Sequence, residues 1–457
     1  MKSYRDARRM TSTLLRSAAV PPLTDPTIHR LANGLTIIAE QMPVDAVTLD
    51  IWLNVGSVLE TDAINGMAHF LEHMIFKGTD HLQSGEFERR IEQRGAITNA
   101  ATSQDYTHYY ITTAPQDFAA LAPLQIDLLL NASIPADGFE RERQVVLEEI
   151  RRSQDNPRQR TFQQATELTF DRLPYRRQVL GPTAVIEHLT AQQMRDFHRH
   201  WYQPQRMTAV AVGNLPVDEL IRIVEAGFEQ AASAQTFSPS PSSVVPPIYP
   251  ASALLPEAPF EKIVRRELTD PSLQQARLVM IWRVPGLNDI QQTYALDVIA
   301  AILSHGRTTR LVQELREQRG LVSSIAASNM TYQHQGVFYI SAQLPAANLE
   351  IVEAAIVQHL RTLQSDLISE AEIARIRTRV ANHFTFGSET PSDRAGLYGY
   401  YQTLLGDLSA ALDYPNQIKA LNAEAVRTAA QTYLTPQAYG VVAIKPAHRD
   451  ASGLQSG

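Results

Sequence analysis

Apolar residues along the chain change period several times, and each change predicts an element. VTLDIWLNV, residues 47–55, alternates with period two, the signature of a long strand. Residues 27–31 and 35–40 (LTIIAE) flank Asn33-Gly34, a pair of strands around a tight turn. Between Gly66 and Gly78 the apolar residues Met67, Phe70, Leu71, Met74 and Ile75 fall at i, i+3, i+4, i+7 and i+8. That spacing is an amphipathic helix, with Asn65 placed to cap it and Gly78 to end it. Helical periods recur at 85–93, 119–131 (despite Pro123), 139–153, 161–172, 190–200 and 217–230, and strand patterns at 96–102, 107–113 and 207–212. Short turns between neighbouring strands predict a mixed, largely antiparallel sheet flanked by helices.

The period then breaks. Residues 232–259 are rich in Pro and Ser and read as an extended linker. Beyond it the order restarts: LVMIWRV (278–284) mirrors LDIWLNV, a helix at 292–303 takes the place of the 66–78 helix, and strands at 322–331 and 336–344 mirror 97–113. Helices are expected at 311–319, 349–363, 370–386, 397–404 and 423–433, with a closing strand at 439–444. The chain is therefore an α+β protein with two tandem homologous domains. The expected division is a basic tail at 1–22, a first domain at 23–231, the linker at 232–259 and a second domain at 260–450.

Composition narrows the chemistry. A formal net charge of -7 without a basic run beyond the N-terminus gives no electrostatic case for nucleic acid. The chain has no cysteine, so any metal site uses His and carboxylates. No apolar stretch reaches 18 residues, so no membrane span is expected and the chain reads as soluble and cytoplasmic. The tail carries Arg5, Arg8, Arg9 and Arg16 against Asp6, a composition like that of a transit peptide.

The polar stripe of the 66–78 helix reads His69, Glu72, His73 and Phe76. Two histidines one turn apart can hold one metal ion, with a glutamate between them on the same side. His-x-x-Glu-His is the inverzincin motif. A third ligand is required. The helix at 139–153 offers Glu140, Glu142, Glu148 and Glu149; Glu142 and Glu149, seven apart, share a face. Spacing alone does not select among these acids or this helix.

HFLEHMIFKGT, with the Glu149 of RQVVLEEI 76 residues after His73, resembles the pitrilysin-type zinc peptidases, and within them the mitochondrial-processing-peptidase-like branch of short subunits. RGAITNAATSQDYTHYY, LREQRGLV and the duplicated halves extend the resemblance over nearly the whole chain. It implies a half-shell of a clam-shell peptidase and one zinc ion per chain, bound by His69, His73 and Glu149. Glu72 is then the general base, Glu142 supports a ligand, and Asn99 and Arg316 contact substrate. The expected activity is hydrolysis of extended or presequence-like peptides. The branch also contains non-catalytic scaffold subunits, which usually lose a ligand or the base; here all four positions stand. Active relatives carry a tyrosine seven residues after the arginine, where this chain has Ser323. The resemblance thus implies a paralogous subunit supplying the arginine–tyrosine pair in a heterodimer, the alternatives being a homodimer or a chain that works alone with reduced activity. His305, His334, His198, His200 and the strand His108-Tyr109-Tyr110 are expected to be structural.

Overall fold

The computed structural model describes residues 25–233 and 251–447; the basic tail, residues 234–250 of the linker and the last three residues of the expected second domain lie outside the described residues. The first sheet contains β1 (Thr27–Arg30), β2 (Thr36–Gln41), β3 (Val47–Leu53), β4 (Ile97–Thr102), β5 (Thr107–Thr113) and β6 (Met207–Gly213). Their spatial order is β1-β2-β6-β3-β5-β4, and only β2 and β6 run parallel. Such a parallel neighbour needs a crossover, which the helices between β5 and β6 supply.

The second sheet repeats this plan. It contains β7 (Val264–Asp270), β8 (Ala276–Pro285), β9 (Ser324–Thr331), β10 (Gln335–Leu344) and β11 (Gly440–Pro446), ordered β7-β11-β8-β10-β9. Its one parallel pair is β7 with β11, the counterpart of β2 with β6. β4 and β9 are therefore equivalent open edges. The duplicated, largely antiparallel α+β architecture expected from the pattern is what the chain adopts.

Three local expectations are corrected. β7 is absent from the pattern reading because VRRELTD lies at a sheet edge, half-exposed throughout, and its run Arg265-Arg266-Glu267 breaks the apolar alternation. The helix Ser409–Ala420 also escapes it, for it accommodates Pro415 in its interior. The helix expected at 311–319 is a wide π-type turn over Val312–Gln318.

The halves are interlocked by exchanged helices. Pro391–Leu405, from the second half, lays Ala395, Tyr398, Tyr401 and Leu404 on Ile38, Trp52, Val210 and Val212 of the first sheet. A Cβ at Gly399 would stand 2.2 Å from the Trp52 ring, so only glycine permits this approach. In return the helix Pro157–Thr169 and the loop after it place Ala165, Phe170, Leu173 and Tyr175 against Val279, Ile281, Val442 and Ile444 of the second sheet. Polar contacts cross the same boundary. Arg394 donates to Glu40 at 2.5 Å, and the Tyr398 hydroxyl donates to the same carboxylate at 2.8 Å. Asp105 accepts the Tyr175 hydroxyl at 2.7 Å and the Gln333 N–H at 2.9 Å.

Candidate metal centre

The motif lies on the helix Met67–Ile75, whose apolar face is buried as its spacing requires. Phe70 stacks on Phe139 with ring centroids 4.6 Å apart, pinning this helix to the helix Ala136–Asp155. Its start differs from expectation: Gly66 is the capping position, at φ +97°, and Asn65 offers no cap. The wholly buried Glu60 does that work instead. Its carboxylate accepts the Gly66 N–H at 2.8 Å, the Ala68 N–H at 2.7 Å and the Asn65 amide at 2.8 Å. These N–H groups have no partner within the helix, and its positive end favours a carboxylate.

His69 and His73 project side by side with ring centroids 4.8 Å apart. From the neighbouring helix, Glu149 brings Oε2 to 3.5 Å from Nε2 of each histidine. One ligand atom from each of the three lies within 4.8 Å of the others, the one such cluster among the described residues. Zinc bonds of about 2.0–2.2 Å at tetrahedral angles separate ligand atoms by about 3.4 Å. The carboxylate stands at about that separation from both imidazoles, so the three groups suit one shared zinc ion.

Glu142, two turns before Glu149 on the same helix face, accepts from His73 Nδ1 at 3.0 Å and from Lys77 Nζ at 2.6 Å. This fixes the proton of neutral His73 on Nδ1 and leaves Nε2 to face the centre. Burial opposes charge on His73, but its hydrogen bonds to Glu142 and Glu149 outweigh it and raise its pKa to about 9. His69 behaves oppositely: burial, reinforced by the charge of His73, lowers it to about 4. Its Nδ1 is buried with no hydrogen-bond partner. Glu140 pairs with Arg143 and Glu148 with Arg151 and Arg152, away from the centre. Of the four acids that spacing left open, Glu149 is the one brought to both histidines.

Glu72 is mostly buried, and burial raises its pKa against the hydrogen bond from Thr102. Thr102 Oγ1 donates to Glu72 Oε2 at 2.5 Å from the end of β4, so the glutamate joins the metal helix to the open sheet edge. Asn99 is exposed on that strand, its Oδ1 accepting the Ala100 N–H at 2.9 Å. Arg316 is not brought to the cluster by any described contact; it pairs with Glu317 at 2.7 Å. The Ser323 hydroxyl lies 2.8 Å from Gln275 Oε1 and 3.0 Å from the Gln343 carbonyl oxygen, either of which can accept its one proton. Glu60 and Thr102 carried no signal as site residues in the sequence; Lys77, one turn after His73, had one in its spacing but was not singled out.

Three of the other histidines expected to be structural have partners away from the cluster, while His200 Nε2 is buried without one. His108 meets Asp50 at 3.0 Å and stacks on Trp52, His198 Nε2 meets the Leu129 carbonyl at 2.7 Å, and the His334 N–H donates to the Tyr175 hydroxyl at 3.0 Å.

Residues 35–183 match the family model described as Insulinase (Peptidase family M16), and residues 188–380 match the Peptidase M16 inactive domain. The chain belongs to peptidase family M16. Among its M16 relatives, a Bacillus subtilis protein named uncharacterized zinc protease YmxG is 26% identical, covering 91% of this chain and 97% of its own length. Zinc protease PqqE of Helicobacter pylori is 26% identical over 91% of this chain and 92% of the relative. Among solved structures, a protease from Helicobacter pylori aligns with a TM-score of 0.84 and 25% identity, covering 93% of this chain and 100% of that one. The M16 inactive-domain match agrees with a second half that lacks the motif. Among the described residues no helix is long and apolar enough to cross a membrane.

Proposed function

We propose that the chain is a zinc-dependent endopeptidase acting on extended peptides, with His69, His73 and Glu149 as metal ligands and Glu72 as general base. The observation that carries this reading is the 3.5 Å placement of Glu149 from both motif histidines beside a glutamate that takes no part in the ligand triad. Zinc bound there would supply Lewis acidity, acidifying water and polarising the scissile carbonyl. Glu72 receives the proton of the attacking water and passes it to the leaving amine. Its raised pKa suits the first step, since a stronger conjugate base accepts the proton more readily. Thr102 holds one carboxylate oxygen and leaves the other for the water. β4 is an open edge, so an extended substrate can add to it as a strand, with Asn99 at hand for its backbone.

We further infer that the active form pairs this chain with a second one. The exchanged helices bind the two halves to each other, so closing around a peptide by swinging one half against the other would tear two buried clusters apart. A second chain supplies the opposing wall. With Ser323 at the tyrosine position, a paralog carrying an intact arginine–tyrosine pair is the favoured partner over a second copy.

Glu149→Gln tests the ligand set. The variant should lose most of its zinc and its peptidase activity, and full metal retention would rule out Glu149 as third ligand. Cleavage by the isolated chain at the rate of a two-chain preparation would remove the need for a partner.

A further inference from the structure

The two motif histidines are held in different ways. His73 is oriented through its second ring nitrogen by Glu142, itself braced by Lys77. Metal-binding histidines are commonly oriented by such a bond. His69 has none: its Nδ1 is buried without a partner, and the residue is only 8% exposed. The aim of its Nε2 therefore depends on packing and on where the backbone starts the helix.

That start is controlled from outside the motif. Glu60 is 0% exposed and grips Gly66 and Ala68 by their N–H groups, the latter adjacent in sequence to His69. Asn65, held by the same carboxylate, also donates to the Gln178 carbonyl at 2.9 Å, which ties the grip to the loop behind the helix. That loop leaves no slack: a Cβ at Gly181 would lie 2.2 Å from the Asn65 carbonyl oxygen, and one at Gly66 2.7 Å from the Leu180 carbonyl oxygen. Gly66 is at φ +97°, a conformation other residues adopt with strain, so the carboxylate fixes a turn that only glycine accepts readily.

We propose that Glu60 is a positioning residue for His69, setting the direction of its metal-facing nitrogen through the first turn of the helix, as Glu142 does for His73 through the ring. The centre then has two carboxylate supports, one per histidine. This rests on the metal-site reading above and adds a residue to it.

The test is zinc affinity of the full chain, measured by competition with a chromophoric chelator, for wild type, Glu60→Gln and Glu60→Asp. Loss of an outer support weakens metal binding by about 10–100-fold. Folded Glu60→Gln, matched to wild type by near-ultraviolet circular dichroism, should fall in that range. Its cobalt-substituted form should show a changed visible spectrum, because the amide cannot accept from all three donors. Glu60→Asp, which keeps the charge, should recover part of the affinity. Wild-type affinity and an unchanged cobalt spectrum in folded Glu60→Gln would overturn the proposal. Should Glu60→Gln fail to fold, Asn65→Ala removes one strand of the same grip and should weaken zinc about threefold or more; unchanged affinity there would overturn it equally. A wild-type chain that takes up no zinc would instead refute the metal site itself, so the two failures are distinct.

Discussion

Replacing Arg394 by Met tests whether the two halves are one cooperative unit. Arg394 is 1% exposed, and its guanidinium meets Glu40, 6% exposed, at the centre of the boundary between the first sheet and the exchanged helix. Methionine fills much of the same volume and keeps the packing on Tyr398, so the main loss is the charge that neutralises Glu40. Removing one partner of a buried ion pair costs about 3–5 kcal/mol. Against a typical total of about 5–15 kcal/mol, that is a large fraction of the stability. Replacing both partners, Arg394→Met with Glu40→Gln, should recover much of the loss, since no buried charge then remains at that point. Urea unfolding followed by fluorescence of single-tryptophan variants reports the first half through Trp52, which lies against the exchanged helix, or Trp201 in its core, and the second through Trp282. Both signals should move together to lower urea. A loss below about 1 kcal/mol, or one half melting well before the other, would refute the reasoning.

Two other outcomes follow from named contacts. Glu142→Gln keeps the shape beside His73 but removes the charge shared with Lys77, and should weaken zinc by about 10–100-fold in chelator competition; unchanged affinity would show that Glu142 does not orient the ligand. Asp105, buried between the halves, has its pKa raised to about 6 by burial, against the hydrogen bonds from Gln333 and Tyr175. The folded chain thus keeps a proton that the unfolded chain releases near its ordinary value, so this contribution is full below about pH 4 and lost as pH rises through 6. The stability of Asp105→Asn relative to wild type should improve by up to about 3 kcal/mol between pH 4 and pH 7, and a difference constant over that range would contradict it.

The fold was legible where local period and tertiary burial agree. The motif helix has one apolar stripe and buries it, and the repeat of LDIWLNV as LVMIWRV announced the duplication that the matching sheet orders display. It was less legible where burial comes from afar. β3 alternates as though one face met solvent, yet all seven residues are buried, because the exchanged helix from the other half covers the polar face. Asp50 is acceptable there because His108 pairs with it. The site divides the same way. His69, Glu72, His73 and the shared face of Glu142 and Glu149 follow from helical spacing. Thr102 and Glu60 act across strand and loop geometry that no period encodes, and Asn65 looked like a cap because it is a capping residue type in the right place. β7 was missed because an edge strand needs few apolar residues.

The measurement that bears most directly on the central claim compares wild type with Glu72→Gln, each shown to hold one zinc, on a mixed set of unstructured peptides. The account predicts equal zinc content and cleavage by wild type, alone or with its partner chain, with turnover abolished in the variant under the same conditions. Wild-type turnover in zinc-loaded Glu72→Gln would contradict it.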